Sequence, residues 1–174
     1  MALCSLLGIE CEFAAAYILG FILEVIPGAT VDYQSRMASL LQNDFATILF
    51  VVFVGPFMEE LIFRLFILLP ARKFMPFFAA NILQAALFGI YHMNLVQGIY
   101  AFLFGLFIGY IMKCTDSIIS CICFHIMFNL TGLLLDDYMP AEFNTAVVRI
   151  IIVAAALVSF VFTLRKLVCD PQTS

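Results

Sequence analysis

The sequence predicts an all-α fold, a polytopic membrane helical bundle of about six transmembrane helices, on three observations. Of the 174 residues, 65% are hydrophobic and only 11% charged, and mean hydropathy is +1.13, well beyond the roughly 45–50% apolar usage of soluble domains. The apolar residues fall in runs matched to a hydrocarbon core of ~30 Å, which takes about 20 helical residues to cross. Between the runs stand short clusters of proline, glycine and charge. These features argue against a water-soluble fold.

Taken in order, the candidate spans lie near residues 11–28, 44–69, 75–93, 96–113, 116–135 and 145–167. The first connection holds Pro27, Gly28, Asp32 and Arg36, the second Pro70, Arg72, Lys73 and Pro76, and the fifth Asp136, Asp137, Pro140 and Glu142. No repeat or interdomain linker separates them, so the chain reads as a single integral membrane domain over 1–174 with a motif-bearing core at about 45–135. Outside the spans or near their ends, Arg72, Lys73, Lys113, Arg165 and Lys166 collect on one side, against Arg36 and Arg149 on the other. The positive-inside rule then expects a multi-pass protein of the cell membrane with both termini cytoplasmic. Gly105 and Gly109 of the fourth span form a G-x-x-x-G pair that suits close helix packing.

The formal charge of −4 forms no tail or patch, and no nucleic-acid signature is present. Cys4, Cys11, Cys114, Cys121, Cys123 and Cys169 lack metal-finger spacing and read as reduced, structural thiols. No charged start and apolar region precede Cys4, so neither lipidation nor a cleaved signal peptide is expected.

The informative residues are those that apolar spans should not contain. Glu59, Glu60 and Arg64 sit within six residues of the second span, each costing about 2.5–3.5 kcal/mol at a helix centre, an expense that normally marks function. At about 100° per residue Glu60 and Arg64 share a helix face, whereas Glu59 is turned away from Arg64. Glu60 is therefore the expected ion-pair partner, and Glu59 the candidate general base, a carboxylate available to take a proton from water. One buried ion cluster that only locks helices together would account for these three residues as well.

Asn81, Gln84, Phe88 and His92 line one stripe of the third span, and Cys121, His125 and Asn129 repeat the i,i+4 step on the fifth. Both histidines of the protein are thus intramembrane. If spans two and three form an antiparallel hairpin turning near residues 70–76, Glu59 and His92 lie almost equally far from the turn, and His125 and Asn129 lie roughly 15–20 Å along the fifth span. Three helices can supply one site.

This pattern resembles the CAAX prenyl endopeptidase and bacteriocin-processing (CPBP) family, whose motifs are E-E-x-x-x-R, F-x-x-x-H and H-x-x-x-N on successive membrane helices. Glu59-Glu60-x-x-x-Arg64, Phe88-x-x-x-His92 and His125-x-x-x-Asn129 match in order across roughly 45–135. The resemblance implies an intramembrane glutamate protease of the type II CAAX endopeptidase kind, acting on a peptide or a prenylated or lipidated protein in a lipid setting, with no metal and no other cofactor. It assigns Glu59, assisted by His92, to water activation, His125 and Asn129 to the oxyanion, and Glu60, Arg64 and Phe88 to positioning. The chain is shorter than many members, and one or two N-terminal spans of the family are expected to be missing from it.

Other readings use the same residues. Zinc could take Glu and His ligands, but no H-E-x-x-H is present. A Cys121/His125 dyad fits the spacing and leaves Glu59, Glu60 and Arg64 without a role. A non-catalytic bacteriocin-immunity or sensor-kinase partner would keep the site for structure, and a channel or transporter would be expected to carry a two-fold repeat.

Overall fold

The computed structural model of the chain describes residues 1–25, 45–138 and 146–169. Among the described residues six helices follow one another and no strand occurs: α1 Ala2–Val25, α2 Phe45–Ala71, α3 Phe77–Tyr91, α4 Leu95–Thr115, α5 Ile118–Tyr138 and α6 Ala146–Cys169. The fold is the all-α membrane bundle that the apolar runs predict. Four segments are long and apolar enough to cross a membrane, namely α2, α4, Ile118–Leu135 of α5 and Ile150–Leu167 of α6. Large apolar side chains stay exposed on the outer faces, among them Phe50, Phe53 and Phe66 of α2 and Ile150, Val158 and Phe162 of α6. Lipid suits such a surface and water does not.

Several boundaries differ from the sequence expectation. Helix α1 begins at Ala2, not near residue 11, and buries Cys4 and Leu7 completely in the core. Helix α3 has 15 residues, fewer than the 75–93 span expected, because extended Pro76 (ψ 149°) stands before its first turn and Met93, at φ 55°, breaks the chain after His92. Helix α5 continues through Asp136 and Asp137 to Tyr138, where a connection was expected. The connections around Pro27, Gly28, Asp32 and Arg36 and around Pro140 and Glu142, with the side chain of Arg149, lie outside the described residues.

Helix α2 is not a uniform α-helix. Two π-helical segments, Phe50–Val54 and Leu61–Leu68, flank the α-helical stretch Gly55–Glu60. Each π segment runs up to a proline: Pro56 follows the first and Pro70 the second. A proline has no N–H for the i→i−4 bond and its ring collides with the carbonyl four residues back. Widening the preceding turn relieves that collision without ending the helix. The widened register is visible where Gly55 N–H bonds Phe50 O and Leu69 N–H bonds Arg64 O, each five residues back.

Helices α3 and α4 form a tight hairpin. Asn94 caps α4 by accepting the Gln97 N–H at 3.0 Å. The two backbones approach so closely that a Cβ on Gly89 would lie 2.6 Å from Gly98 O, and one on Gly109 would overlap the Asn81 carboxamide. Asn81 Nδ2 donates to Leu106 O at 2.9 Å and Gln84 Nε2 to Gly105 O at 2.8 Å. The polar stripe of α3 thus divides: Asn81 and Gln84 join it to the G-x-x-x-G face of α4, and Phe88 and His92 continue toward the cavity. Between helices in lipid, where burial alone drives little association, such hydrogen bonds and close contacts supply the adhesion.

Candidate active site

A cavity of about 330 Å³ opens between α2, α4 and α5, with α1 and α3 at its edges, and Glu59, His92, His125 and Asn129 all line it. His125 is the junction. Buried to 4% exposure on α5, it places Nδ1 2.7 Å from Glu60 Oε1 and Nε2 3.7 Å from Glu59 Oε2. Neighbouring acids of α2 therefore meet opposite edges of one imidazole. With Nδ1–H donated to Glu60, Nε2 is the edge left to exchange a proton with Glu59 or a reacting group.

Glu60 and Arg64 are both fully buried and 3.0 Å apart, Oε2 to Nε. That contact is an ion pair off hydrogen-bond alignment, and among the described residues neither Nη atom of Arg64 has a hydrogen-bond partner. The guanidinium instead lies 5.1 Å above the Phe88 ring, where the ring face attracts a cation strongly because water is excluded. Phe88 also meets His92 edge-on at 4.7 Å, His125 at 6.1 Å and Phe63 at 4.9 Å. One ring thus braces the arginine and both histidines. Behind His125, Phe104 stands edge-on at 4.8 Å and packs against Phe124 and Phe128.

His92 Nδ1 lies 2.8 Å from Phe88 O. A carbonyl only accepts, so Nδ1 carries the proton and Nε2 of the neutral ring is an acceptor. Asn129 Nδ2 donates to Val51 O at 3.0 Å, which commits one of its two amide hydrogens. The structure brings Glu59, Glu60, Arg64, Phe88, His92 and His125 into one contact network and sets Asn129 on the same cavity. No direct Glu59–His92 contact joins those two among the described residues. Cys121 is fully buried, its Sγ 3.8 Å from Ile108 O, away from the cavity lining.

The sequence reading missed Glu12. It lines the cavity from α1 and accepts from Tyr100 Oη at 3.4 Å. Its neighbour Glu10 is buried and takes Ser159 Oγ and Thr163 Oγ1 of α6, the latter at 3.2 Å. The signal was present: an ionisable residue between the apolar runs 2–9 and 13–23 obeys the rule that singled out Glu59, but starting the first span at residue 11 left these acids at its margin. Among the described residues no three His, Cys, Asp or Glu side chains converge in the geometry of a metal site.

A bundle of helices with lipid-suited outer faces and a cavity that holds ionisable side chains defines an integral membrane protein. The type II CAAX prenyl endopeptidase Rce1-like family model matches residues 41–131, more than half of the chain, and the chain belongs to that family. The matched segment contains every residue from Glu59 to Asn129 named above, and the membership supports a CAAX protease-like function. No curated protein and no solved structure matches the chain.

Proposed function

We propose that the chain is an intramembrane endopeptidase that hydrolyses a peptide bond of a membrane-associated or lipidated peptide or protein with a water activated by Glu59. The observation that carries this reading is the placement of His125 between Glu59 and the Glu60–Arg64 pair, at the wall of a cavity shared with His92 and Asn129. Glu60 answers the Arg64 charge and orients the imidazole. Glu59 faces the cavity and is the carboxylate open to water.

In the proposed reaction a water between Glu59 and His92 Nε2 attacks the peptide carbonyl carbon while Glu59 takes its proton. In this scheme His125 is the imidazolium, with Nδ1–H on Glu60 and Nε2–H donating, together with the second amide hydrogen of Asn129, to the carbonyl oxygen as it becomes negative; a fixed donor of this kind is worth ~10²–10³ in rate. Collapse of the tetrahedral species breaks the C–N bond, and the proton on Glu59 passes to the departing amine, restoring the carboxylate. No covalent enzyme intermediate and no cofactor enter this scheme. Substrates that fit it include a prenylated protein and a bacteriocin-type precursor peptide.

The test compares the membrane proteome and released peptides of cells carrying wild type or Glu59→Gln at equal protein abundance. Fragments present only with the wild type are expected. Identical fragment sets would refute the reading.

A further inference from the structure

The first π segment of α2 leaves a main-chain carbonyl in an unusual position. In an α-helix, Val51 O would accept from Gly55 N–H, but that N–H bonds Phe50 O instead. In the widened register Val51 O would accept from residue 56, which is proline and has no N–H. Both helical partners of Val51 O are therefore lost. A bare carbonyl among lipid costs several kcal/mol, and Asn129 Nδ2, 3.0 Å away, covers it. Val51, Gly55, Pro56 and Asn129 all line the cavity that holds Glu59 and His125.

We propose that Val51 O and Asn129 Nδ2 form a clamp for the main chain of an extended peptide, in which one substrate residue donates its N–H to Val51 O and accepts from Asn129 through its C=O. The proposal deepens the endopeptidase reading and rests on it for the identity of the ligand; its new element is the acceptor that Pro56 creates. A peptide bond inside a helix is shielded by its own hydrogen bonds, so cutting it in lipid requires an unwound stretch whose freed N–H and C=O groups must find partners. An acceptor and a donor side by side satisfy both, in the manner of strand addition to a sheet edge. In the structure Val51 O and Asn129 Nδ2 satisfy one another. The single resting bond is exchanged for two.

The clamp makes a demand on substrate backbone that side-chain recognition does not. The probe is a blocked peptide of alternating leucine and alanine, with a series of copies N-methylated at one residue each. Binding is measured to the full chain in lipid nanodiscs carrying Glu59→Gln, which separates affinity from cleavage. One position is expected at which N-methylation weakens binding roughly 3- to 10-fold, the worth of one net hydrogen bond. Adding Pro56→Ala, which supplies an N–H for Val51 O, should abolish that sensitivity. As a measurement independent of Pro56→Ala folding, the infrared band of Val51 labelled as ¹³C=¹⁸O should shift when the peptide binds and stay in place with the copy N-methylated at the sensitive position. Absence of binding, uniform tolerance of N-methylation, sensitivity persisting in a folded Pro56→Ala protein, or an unmoved Val51 band would each overturn the clamp. Position-specific sensitivity in a protein whose wild type cuts nothing would uphold the clamp and overturn the endopeptidase reading.

Discussion

His125 Nδ1 stands 2.7 Å from Glu60 Oε1, and through Glu60 this histidine of α5 is tied to Arg64 one turn further along α2. The link makes a charge pair on one helix responsible for the orientation of an imidazole on another. It also separates the adjacent acids of α2, since Glu60 is fully buried while Glu59 lines the cavity.

Removing one member of the buried pair should be structurally expensive. Glu60→Gln and Arg64→Met are each expected to destabilise by ~3–5 kcal/mol, because the remaining charge is stranded, and the double variant should recover part of that loss. Thermal unfolding in detergent provides the cycle. Additive effects would contradict the pairing. Because Glu60 also holds His125, the double variant should regain stability without regaining activity.

Phe88 touches the side chains of Arg64, His92 and His125. Phe88→Leu keeps an apolar side chain but removes a cation–π contact and several edge-on ring contacts, so a loss of about 1–3 kcal/mol is expected. Turnover should fall more than substrate affinity does, since both histidines lose their brace. Thermal shift and steady-state kinetics on one preparation check both halves.

Gly89→Ala should disturb the α3–α4 hairpin, because the added methyl would lie 2.6 Å from Gly98 O, a backbone atom that cannot turn aside. Overpacking of this kind costs ~1–3 kcal/mol, and the shift should reach His92 three residues on. Gly98→Ala, whose Cβ would lie 3.0 Å from Gly89 O, should be milder. Equal melting temperatures for Gly89→Ala and wild type would contradict this packing.

How much of this was legible in the sequence depends on which physical signal carried it. Six helices were legible because apolar run length reflects membrane thickness, and the candidate residues because ionisable groups in apolar runs are rare. The hairpin reading brought α2 and α3 together by counting residues from one turn. The π segments were not legible to a uniform 100° step, although Pro56 and Pro70, which follow them, are their cause. Nor was the division of the α3 stripe: periodicity places Asn81, Gln84 and His92 on one face, but only the close approach of Gly105 and Gly109 turns the first two toward α4. Glu12 escaped because the first span was started too late.

Activity should survive thorough chelation of divalent metals. No metal-site grouping of three His, Cys, Asp or Glu occurs among the described residues. Activity lost on chelation and restored specifically by zinc, with stoichiometric zinc in the purified protein, would contradict this expectation.

Activation of the hydrolytic water by Glu59 can be measured with purified wild type and Glu59→Gln in lipid nanodiscs, incubated in ¹⁸O-labelled water with membrane extract and analysed for newly formed peptide C-termini. Wild type should generate new C-termini that carry ¹⁸O, and Glu59→Gln, folded with an unchanged melting temperature, should generate none. Labelled termini produced by Glu59→Gln at near the wild-type rate would contradict the account.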